Sequence, residues 1–156
     1  ILFCENNKYG MSSSTEKAFA IDNLADRGKG YGIPGVNVDG NDVVAVYEVA
    51  QAAVDRAKAG DGPTLIIAET YRWKGHSRSD KNLYRTKEEI EEWRTKDPIP
   101  KFIARVIEEG ILTQEQCDVI QNEAIEAIKA AVNEAVKAES AEPSGLLDAV
   151  FKAVSA

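Results

Sequence analysis

One histidine, two cysteines and one methionine among 156 residues are a sparse supply of reactive groups, and each scarcity closes a class of function. Cys4 and Cys117 are too few, and too distant in sequence, for a disulfide framework. With His76 as the single imidazole, a Cys/His metal cluster is excluded as well. No apolar run is long enough to span a bilayer and no signal-peptide pattern opens the chain, so a cytoplasmic location is the expectation. Basic residues are also in deficit: 19 Lys and Arg face 26 Asp and Glu, leaving a net charge of −7. Nucleic acid and anionic membrane surfaces both call for the opposite sign.

Enough apolar residues remain, at 44%, to build the core of one domain with an appendage. The chain opens at Ile1, without an initiator Met, inside the strand-like run Ile1-Leu2-Phe3-Cys4. A run that reads as a short buried strand is an unusual place for a domain to begin, and this predicts a piece of a longer protein.

Polar Glu5 to Gly10 closes that strand, and Ser12 to Thr15 suits a loop or a helix cap. Asp22 to Tyr31 reads as a short helix weakened by Gly28 and Gly30. Val36-Asn37-Val38 alternates as a strand, ending at Asp39-Gly40. From Asp42 to Ala59, Val43, Tyr47, Ala50, Val54 and Ala57 recur at helical spacing, with Asn41 as a plausible N-cap and Gly60 as the stop. Thr64 to Ala68 is a near-continuous apolar strand of the kind covered on both faces. Strand, helix, strand within so short a span is a βαβ unit, which predicts parallel strands. The rest is helical. Thr86 to Glu89 and Thr113 to Gln116 have the pattern of capping boxes, and Asp97-Pro98 opens a helix between them. The long last-but-one helix carries Cys117, Ile120, Ala124, Ile128, Ala131 and Ala135 as its stripe, and a final helix is expected over Gly145 to Val154, capped by Ser144. The fold class is therefore α/β, a parallel sheet over residues 1–85 followed by a helical appendage over 86–156.

Three strand ends carry polar groups, and in a parallel sheet such ends share one edge, where open α/β sheets bind ligands. Asn6-Asn7 follows the first, Asp39-Gly40 the second, and Tyr71-Arg72-Trp73-Lys74-Gly75-His76-Ser77-Arg78-Ser79-Asp80 the third. Carboxamide oxygens and main-chain carbonyls suit Mg²⁺; an Arg fork suits a phosphate; a His moves protons near neutral pH. The same residues also serve plainer ends, since Asn pairs make turns and a lone His is commonly structural. Gly28 to Gly32 follows no strand and does not read as a dinucleotide fingerprint. Spacing alone leads to a phosphate-binding α/β domain.

The motifs go further when taken together. Glu5-Asn6-Asn7-Lys8-Tyr9-Gly10-Met11, Tyr31-Gly32-Ile33-Pro34-Gly35, Val38-Asp39-Gly40, Tyr71-Arg72 with Gly75-His76-Ser77 and Ser79-Asp80, Tyr84-Arg85-Thr86 with Glu88-Glu89, and Asp97-Pro98-Ile99 occur in that order. The chain resembles the C-terminal half of the α subunit of the thiamine-diphosphate-dependent 2-oxo acid dehydrogenase E1 component, the group that includes the pyruvate, branched-chain and acetoin types. The resemblance implies the C-terminal half of a parallel-sheet thiamine-diphosphate-binding fold. It implies Asn7, through its side chain, and Tyr9, through its carbonyl, as Mg²⁺ ligands. Arg72 would hold the diphosphate. His76 would stand at the mouth of the site, assisting acyl transfer to a lipoyl group, and Ser77 matches a serine that kinases modify in mitochondrial members. The implied partners are the E1 β subunit and the lipoyl domain of the E2 acyltransferase, within an α₂β₂ heterotetramer. The Gly-Asp-Gly that starts the family's cofactor motif, with its Mg²⁺-binding aspartate, is expected upstream of Asn6-Asn7 and does not occur there, and the glutamate that activates the cofactor belongs to the β subunit. Alone, the chain is expected to bind cofactor poorly and to be inactive. Lys74 stands where many pyruvate-type members have a second histidine, and Trp73-Lys74 is closer to the acetoin type. Two alternatives stay open: a non-catalytic interaction module or remnant docking a partner through its helices, and a transketolase-like half-protein, which the Arg72 to Ser77 loop argues against.

Overall fold

The structure, a computed structural model, describes residues 1–146. They fall into two compact units, one over Ile1–Glu108 and the other beginning at Glu109. The first is built on a parallel sheet of three strands, β1 (Leu2–Asn6), β4 (Gly35–Asp39) and β5 (Leu65–Glu69), in the order β1-β5-β4. The predicted βαβ unit is present: α3 (Val43–Lys58) connects β4 to β5, which pair in parallel from Gly35–Leu65 to Asp39–Glu69. Its central strand has apolar residues at four consecutive positions, Leu65 to Ala68, because it is covered on both faces. Ile66 and Ala68 pack with Val38 and Ala53 under α3. On the opposite face Ile67 packs with Leu24 and Ala25 from a 3₁₀ turn, with Cys4 and Leu65 at the margin.

Several sequence-based expectations need correction. The first strand is not buried: Ile1, Leu2 and Phe3 are about half exposed, at 51, 53 and 50%, because β1 is an edge strand with one neighbour. The α3 face that meets the sheet is Ala45, Val46, Val49 and Ala53, while Val43 and Tyr47 of the predicted stripe point outward. The segment offers two overlapping helical stripes, and the one with the smaller residues lets the helix sit closer. Its N-cap is Asp42, whose Oδ1 accepts the Val44 and Ala45 N–H groups, each at 3.1 Å. These bonds hold the Asp42 carboxyl below the usual carboxylate range. Asn41 is spent elsewhere, on Thr70. Asp22 to Tyr31 is a 3₁₀ turn, Leu24–Asp26, running into a single helical turn, α2 (Arg27–Gly30). Ser13–Ser14 (β3) pairs with Tyr9–Gly10 (β2) as a small hairpin before α1 (Thr15–Ala18), and Ser14 makes no side-chain cap.

Beyond the sheet come α4 (Lys87–Arg94) and α5 (Pro98–Glu108), then α6 (Gln114–Lys137) in the second unit. The Thr113 capping box forms in full. Of the predicted α6 stripe Cys117 is buried, whereas Ile120 and Ile128 are exposed. The expected last helix lies outside the described residues beyond Leu146. No helix among the described residues is long and apolar enough to cross a membrane.

Candidate functional site

All three strands end on one edge. Register brings Asn6, Glu69 and Asp39 side by side as the last residues of their strands. The pairing continues past the strands, with the Thr70 N–H donating to the Asn6 carbonyl at 3.0 Å and the Arg72 N–H to the Asn7 carbonyl at 3.4 Å. Asn7 and Arg72, sixty-five residues apart, are therefore neighbours. The Asn6 carboxamide donates to Glu69 Oε2 at 2.9 Å, and the Lys8 ammonium pairs with the same oxygen. Asn6 Oδ1 is buried and has no hydrogen-bond partner. Gly40 is needed beside this row: its N–H donates to the Glu69 carbonyl at 2.8 Å, and a Cβ there would stand 2.9 Å from that oxygen.

Lys8 has φ of 71°, a left-handed conformation that non-glycine residues seldom adopt. It turns the chain so that the Tyr9 N–H reaches Asn7 Oδ1 at 3.3 Å. This is a long bond, and it uses one of two lone pairs. The Asn7 carboxamide oxygen thus keeps acceptor capacity, with the Tyr9 carbonyl on the same turn, and both are hard oxygen donors of the type Mg²⁺ takes. Arg72 donates from Nη2 to the Met11 carbonyl at 2.7 Å and to Tyr84 Oη at 2.9 Å, and from Nε to the Lys74 carbonyl at 3.1 Å. Nη1 stands outside these bonds. Two oxygen donors and a half-committed guanidinium fit part of a Mg²⁺-diphosphate shell. Among the described residues no group of three His, Cys, Asp or Glu could hold a metal by itself.

Between this edge and α4 lies a polar and aromatic hub that composition and motif spacing did not assign. Arg85 is buried at 8% exposure. Its guanidinium donates to the carbonyls of Arg72 and Trp73 and to Asn82 Oδ1, and lies 5.4 to 5.7 Å from the ring centres of Tyr9, Tyr71 and Tyr84. Thr86 caps α4 by accepting the Glu89 N–H at 3.1 Å, but the Glu89 carboxylate does not close the box. It accepts the Tyr9 and Tyr71 hydroxyls instead, each at 2.9 Å on Oε1. Burial pushes the Tyr9 phenol up to about 12, helped by the Glu89 hydrogen bond and charge and opposed by Arg85. Tyr71 is raised for the same leading reason. Trp93 stacks on Tyr71, 5.2 Å between centres and 8° between planes.

The hub anchors both ends of the His76 loop, and Asp80 folds its middle. One Asp80 oxygen accepts the His76 N–H at 2.8 Å and the Tyr84 hydroxyl at 2.7 Å; the other accepts the Asn82 N–H at 2.8 Å. The Asn82 N–H, Tyr84 and the His76 N–H together hold the Asp80 carboxyl down at about 2. Gly75 passes so close that a Cβ would meet the Asp80 Cβ at 2.8 Å. The His76 and Ser77 side chains are exposed, and Ser77 Oγ lies 3.1 Å from Ser79 Oγ. His76 lies between two cavities. One, about 440 Å³, is shared with Met11 and Ser12 of the hairpin; the other, about 800 Å³, is shared with α4.

The structure therefore gathers Asn7, Tyr9 and Arg72 at the sheet edge and sets His76 and Ser77 on a braced loop beside them. Asp39 stands apart, its carboxylate on Lys101 of α5 at 3.6 Å. Glu69, Asp80, Arg85 and Glu89 were missed as participants. Glu69 had one visible signal, a carboxylate closing an apolar strand.

Residues 1–144 match the family model described as Dehydrogenase E1 component. Over 152 residues the chain is 41% identical to the 2-oxoisovalerate dehydrogenase subunit alpha of Bacillus subtilis (strain 168), covering 97% of this chain and 46% of that protein. It is 42% identical over 126 residues to the pyruvate dehydrogenase E1 component subunit alpha of Acholeplasma laidlawii, covering 80% and 36%. It is 36% identical over 154 residues to the subunit of that name from Staphylococcus aureus (strain Mu50 / ATCC 700699), covering 97% and 42%. The chain spans less than half the length of these curated relatives.

Proposed function

This chain belongs to the dehydrogenase E1 component family, and from that premise we propose that it forms the C-terminal part of the α subunit of a cytoplasmic thiamine-diphosphate-dependent 2-oxo acid dehydrogenase. The observation that carries the reading is the adjacency of the Asn7–Tyr9 turn and Arg72 on one edge of a parallel sheet, with Arg72 leading into the braced loop that carries His76. In this reading residues 1–85 supply that edge and residues 86–156 are the C-terminal region that meets the other subunits.

Asn7 Oδ1 and the Tyr9 carbonyl would be two ligands of Mg²⁺, its remaining ligands coming from phosphate, water and residues elsewhere. Arg72, through Nη1, would hold a diphosphate oxygen. The bound cofactor would supply the carbon nucleophile and the electron sink for decarboxylation. His76 would hold or deliver a proton at the sulfur of a lipoyl group as the acyl group passes to it. The partners are an E1 β subunit and the lipoyl domain of an E2 acyltransferase, in an α₂β₂ assembly. Pyruvate, branched-chain 2-oxo acids and acetoin are the candidate acyl sources, the last suggested by Trp73-Lys74. A phosphoryl group on exposed Ser77 would add roughly two negative charges beside His76 and oppose entry of an acidic partner.

The test is His76→Ala in the α subunit that carries this sequence, assembled with its β subunit. Acylation of a lipoyl domain should be abolished while binding of thiamine diphosphate with Mg²⁺ is retained. Loss of cofactor binding instead would make His76 a structural residue and remove the proposed role. A second reading, a module that docks a partner through its helices, draws on Ile120, Ile125, Ile128 and Val132, all exposed on α6. Persistence of that docking without cofactor would favour it.

A further inference from the structure

Tyr9 belongs to two places at once. Its carbonyl lies on the turn proposed to take Mg²⁺, and its side chain runs into the hub between the sheet edge and α4. Little along the chain itself fixes that carbonyl. Lys8 and Met11, on either side, both have positive φ, 71° and 56°. Neither is a glycine, so the turn is not one the local sequence prefers. The hairpin does not hold the carbonyl either. The Thr15 N–H donates to the Lys8 carbonyl at 2.9 Å. The next pair, Tyr9 with Ser14, is therefore of the kind whose own N–H and C=O face away from the partner strand. The Tyr9 N–H accordingly reaches back to Asn7 Oδ1 at 3.3 Å.

The side chain, by contrast, is held at every point. Its hydroxyl donates to Glu89 Oε1 at 2.9 Å and lies 3.2 Å from Oε2. Its ring stands edge-on to Tyr71, 6.0 Å between centres and 87° between planes, and 5.4 Å from Tyr84. Glu89 sits in the first turn of α4, where Thr86 caps the helix, so the acceptor is carried by a regular element rather than by a loop.

We propose that Glu89 is a positioning residue for the Mg²⁺ site: by holding the Tyr9 hydroxyl it sets the direction of the Tyr9 carbonyl, and through it the affinity for the ion, without being a ligand. The inference rests on the Mg²⁺ ligands proposed above and adds a residue eighty positions away to their control. Groups that orient a metal ligand from behind commonly govern affinity by about tenfold to a hundredfold. Glu89 also supplies its own comparison, because the Tyr71 hydroxyl donates to the same Oε1 at 2.9 Å and Tyr71 carries no proposed ligand.

The experiment takes the α subunit that carries this sequence, assembled with its β subunit and freed of cofactor. Retention of thiamine diphosphate is measured by equilibrium dialysis as free Mg²⁺ is raised, with no 2-oxo acid present. In Tyr9→Phe, which keeps the carbonyl and loses only the hydroxyl, the Mg²⁺ midpoint should rise about tenfold. Tyr71→Phe removes the neighbouring bond to the same oxygen and should stay within about twofold of wild type. Adding Glu89→Gln to Tyr9→Phe should shift the midpoint by less than about twofold further, because the contact is already gone. Circular dichroism checks that each variant is folded at the temperature used. If Tyr9→Phe fails that check, Glu89→Gln alone takes its place, with a rise of about fivefold expected because a neutral acceptor weakens the bond without abolishing it. An unchanged midpoint in Tyr9→Phe, or an equal rise in Tyr71→Phe, overturns the proposal and leaves the proposed function standing. Wild-type protein that retains no thiamine diphosphate, or retains it without regard to Mg²⁺, removes the proposed function and this inference with it.

Discussion

Replacing Glu89 by Gln keeps the shape of the hub and removes one charge. The carboxylate accepts the Tyr9 and Tyr71 hydroxyls at 2.9 Å on one oxygen and Tyr9 again at 3.2 Å on the other. Hydrogen bonds to a charged acceptor contribute about 1.5–3 kcal/mol, against about 0.5–1.5 between neutral groups. Glu89→Gln should therefore cost about 1 kcal/mol per tyrosine, about 2 kcal/mol in all, after allowing for partial solvent screening. For a chain of this size that lowers Tm by roughly 5 °C. Urea unfolding followed by Trp fluorescence is a suitable assay because Trp93 stacks directly on Tyr71. The midpoint should drop with an unchanged slope. A second readout is the ultraviolet titration of tyrosine. Without Glu89 the Tyr9 phenol should ionise below its present value of about 12 yet above 10, because burial, the larger cause, remains. The sign is fixed by linkage. A group raised on folding stabilises fully below its unfolded pKa, here about 10, and loses that contribution as pH climbs through the folded value. The stability difference between wild type and variant should thus be constant up to the variant's own folded Tyr9 value, above 10, and shrink from there to about pH 12. Equal midpoints together with an unaltered tyrosine titration would refute the hub as described.

Two further expectations follow from the same contacts. Asp80, held at about 2, contributes order above the unfolded carboxylate range near 4 and loses it as pH falls to about 2; amide exchange at His76 and Asn82, taken relative to the unfolded-chain rate at each pH, should accelerate through that window in wild type. In Asp80→Asn it should already be fast at neutral pH with no such window, and wild-type protection in the variant would show that other bonds hold the loop. Gly40→Ala places a Cβ 2.9 Å from the Glu69 carbonyl and should cost about 1–3 kcal/mol by overpacking; an unshifted Tm would mean the strand ends have room to spare.

Local signals in the sequence were strong wherever a residue's role depends on its neighbours along the chain. The β4-α3-β5 unit, the Thr113 box and the starts of α4 and α5 were legible in that way. So was the gathering of Asn7 and Arg72, since parallel strands place their ends on one edge. What was not legible depends on partners distant in sequence. Glu89 has the position of a capping-box glutamate, and the approach of Tyr9 and Tyr71, eighty and eighteen residues earlier, draws it away. Arg85 reads as a loop cation until the carbonyls of Arg72 and Trp73 close over it. The α3 face was misread because its alanines and valines satisfy two stripes at once, and the sheet decides between them. Exposure of Ile1 to Phe3 is likewise a property of strand order, which no local pattern encodes.

The bond from the Asn6 carboxamide to Glu69 has one more consequence, for how the sheet finds its alignment during folding. Side chains along a strand alternate between faces, so sliding β5 by a single residue exchanges its two sides. Glu69 would then enter the apolar layer of Val38, Ala53 and Val49 beneath α3, a burial costing several kcal/mol for an unpaired carboxylate, while Asn6 would lose its acceptor. A slip of two residues restores the faces but carries Glu69 out of reach of both Asn6 and Lys8. One acidic residue at the end of an apolar strand thus acts as a ruler, and the residues at the ligand edge inherit their alignment from it.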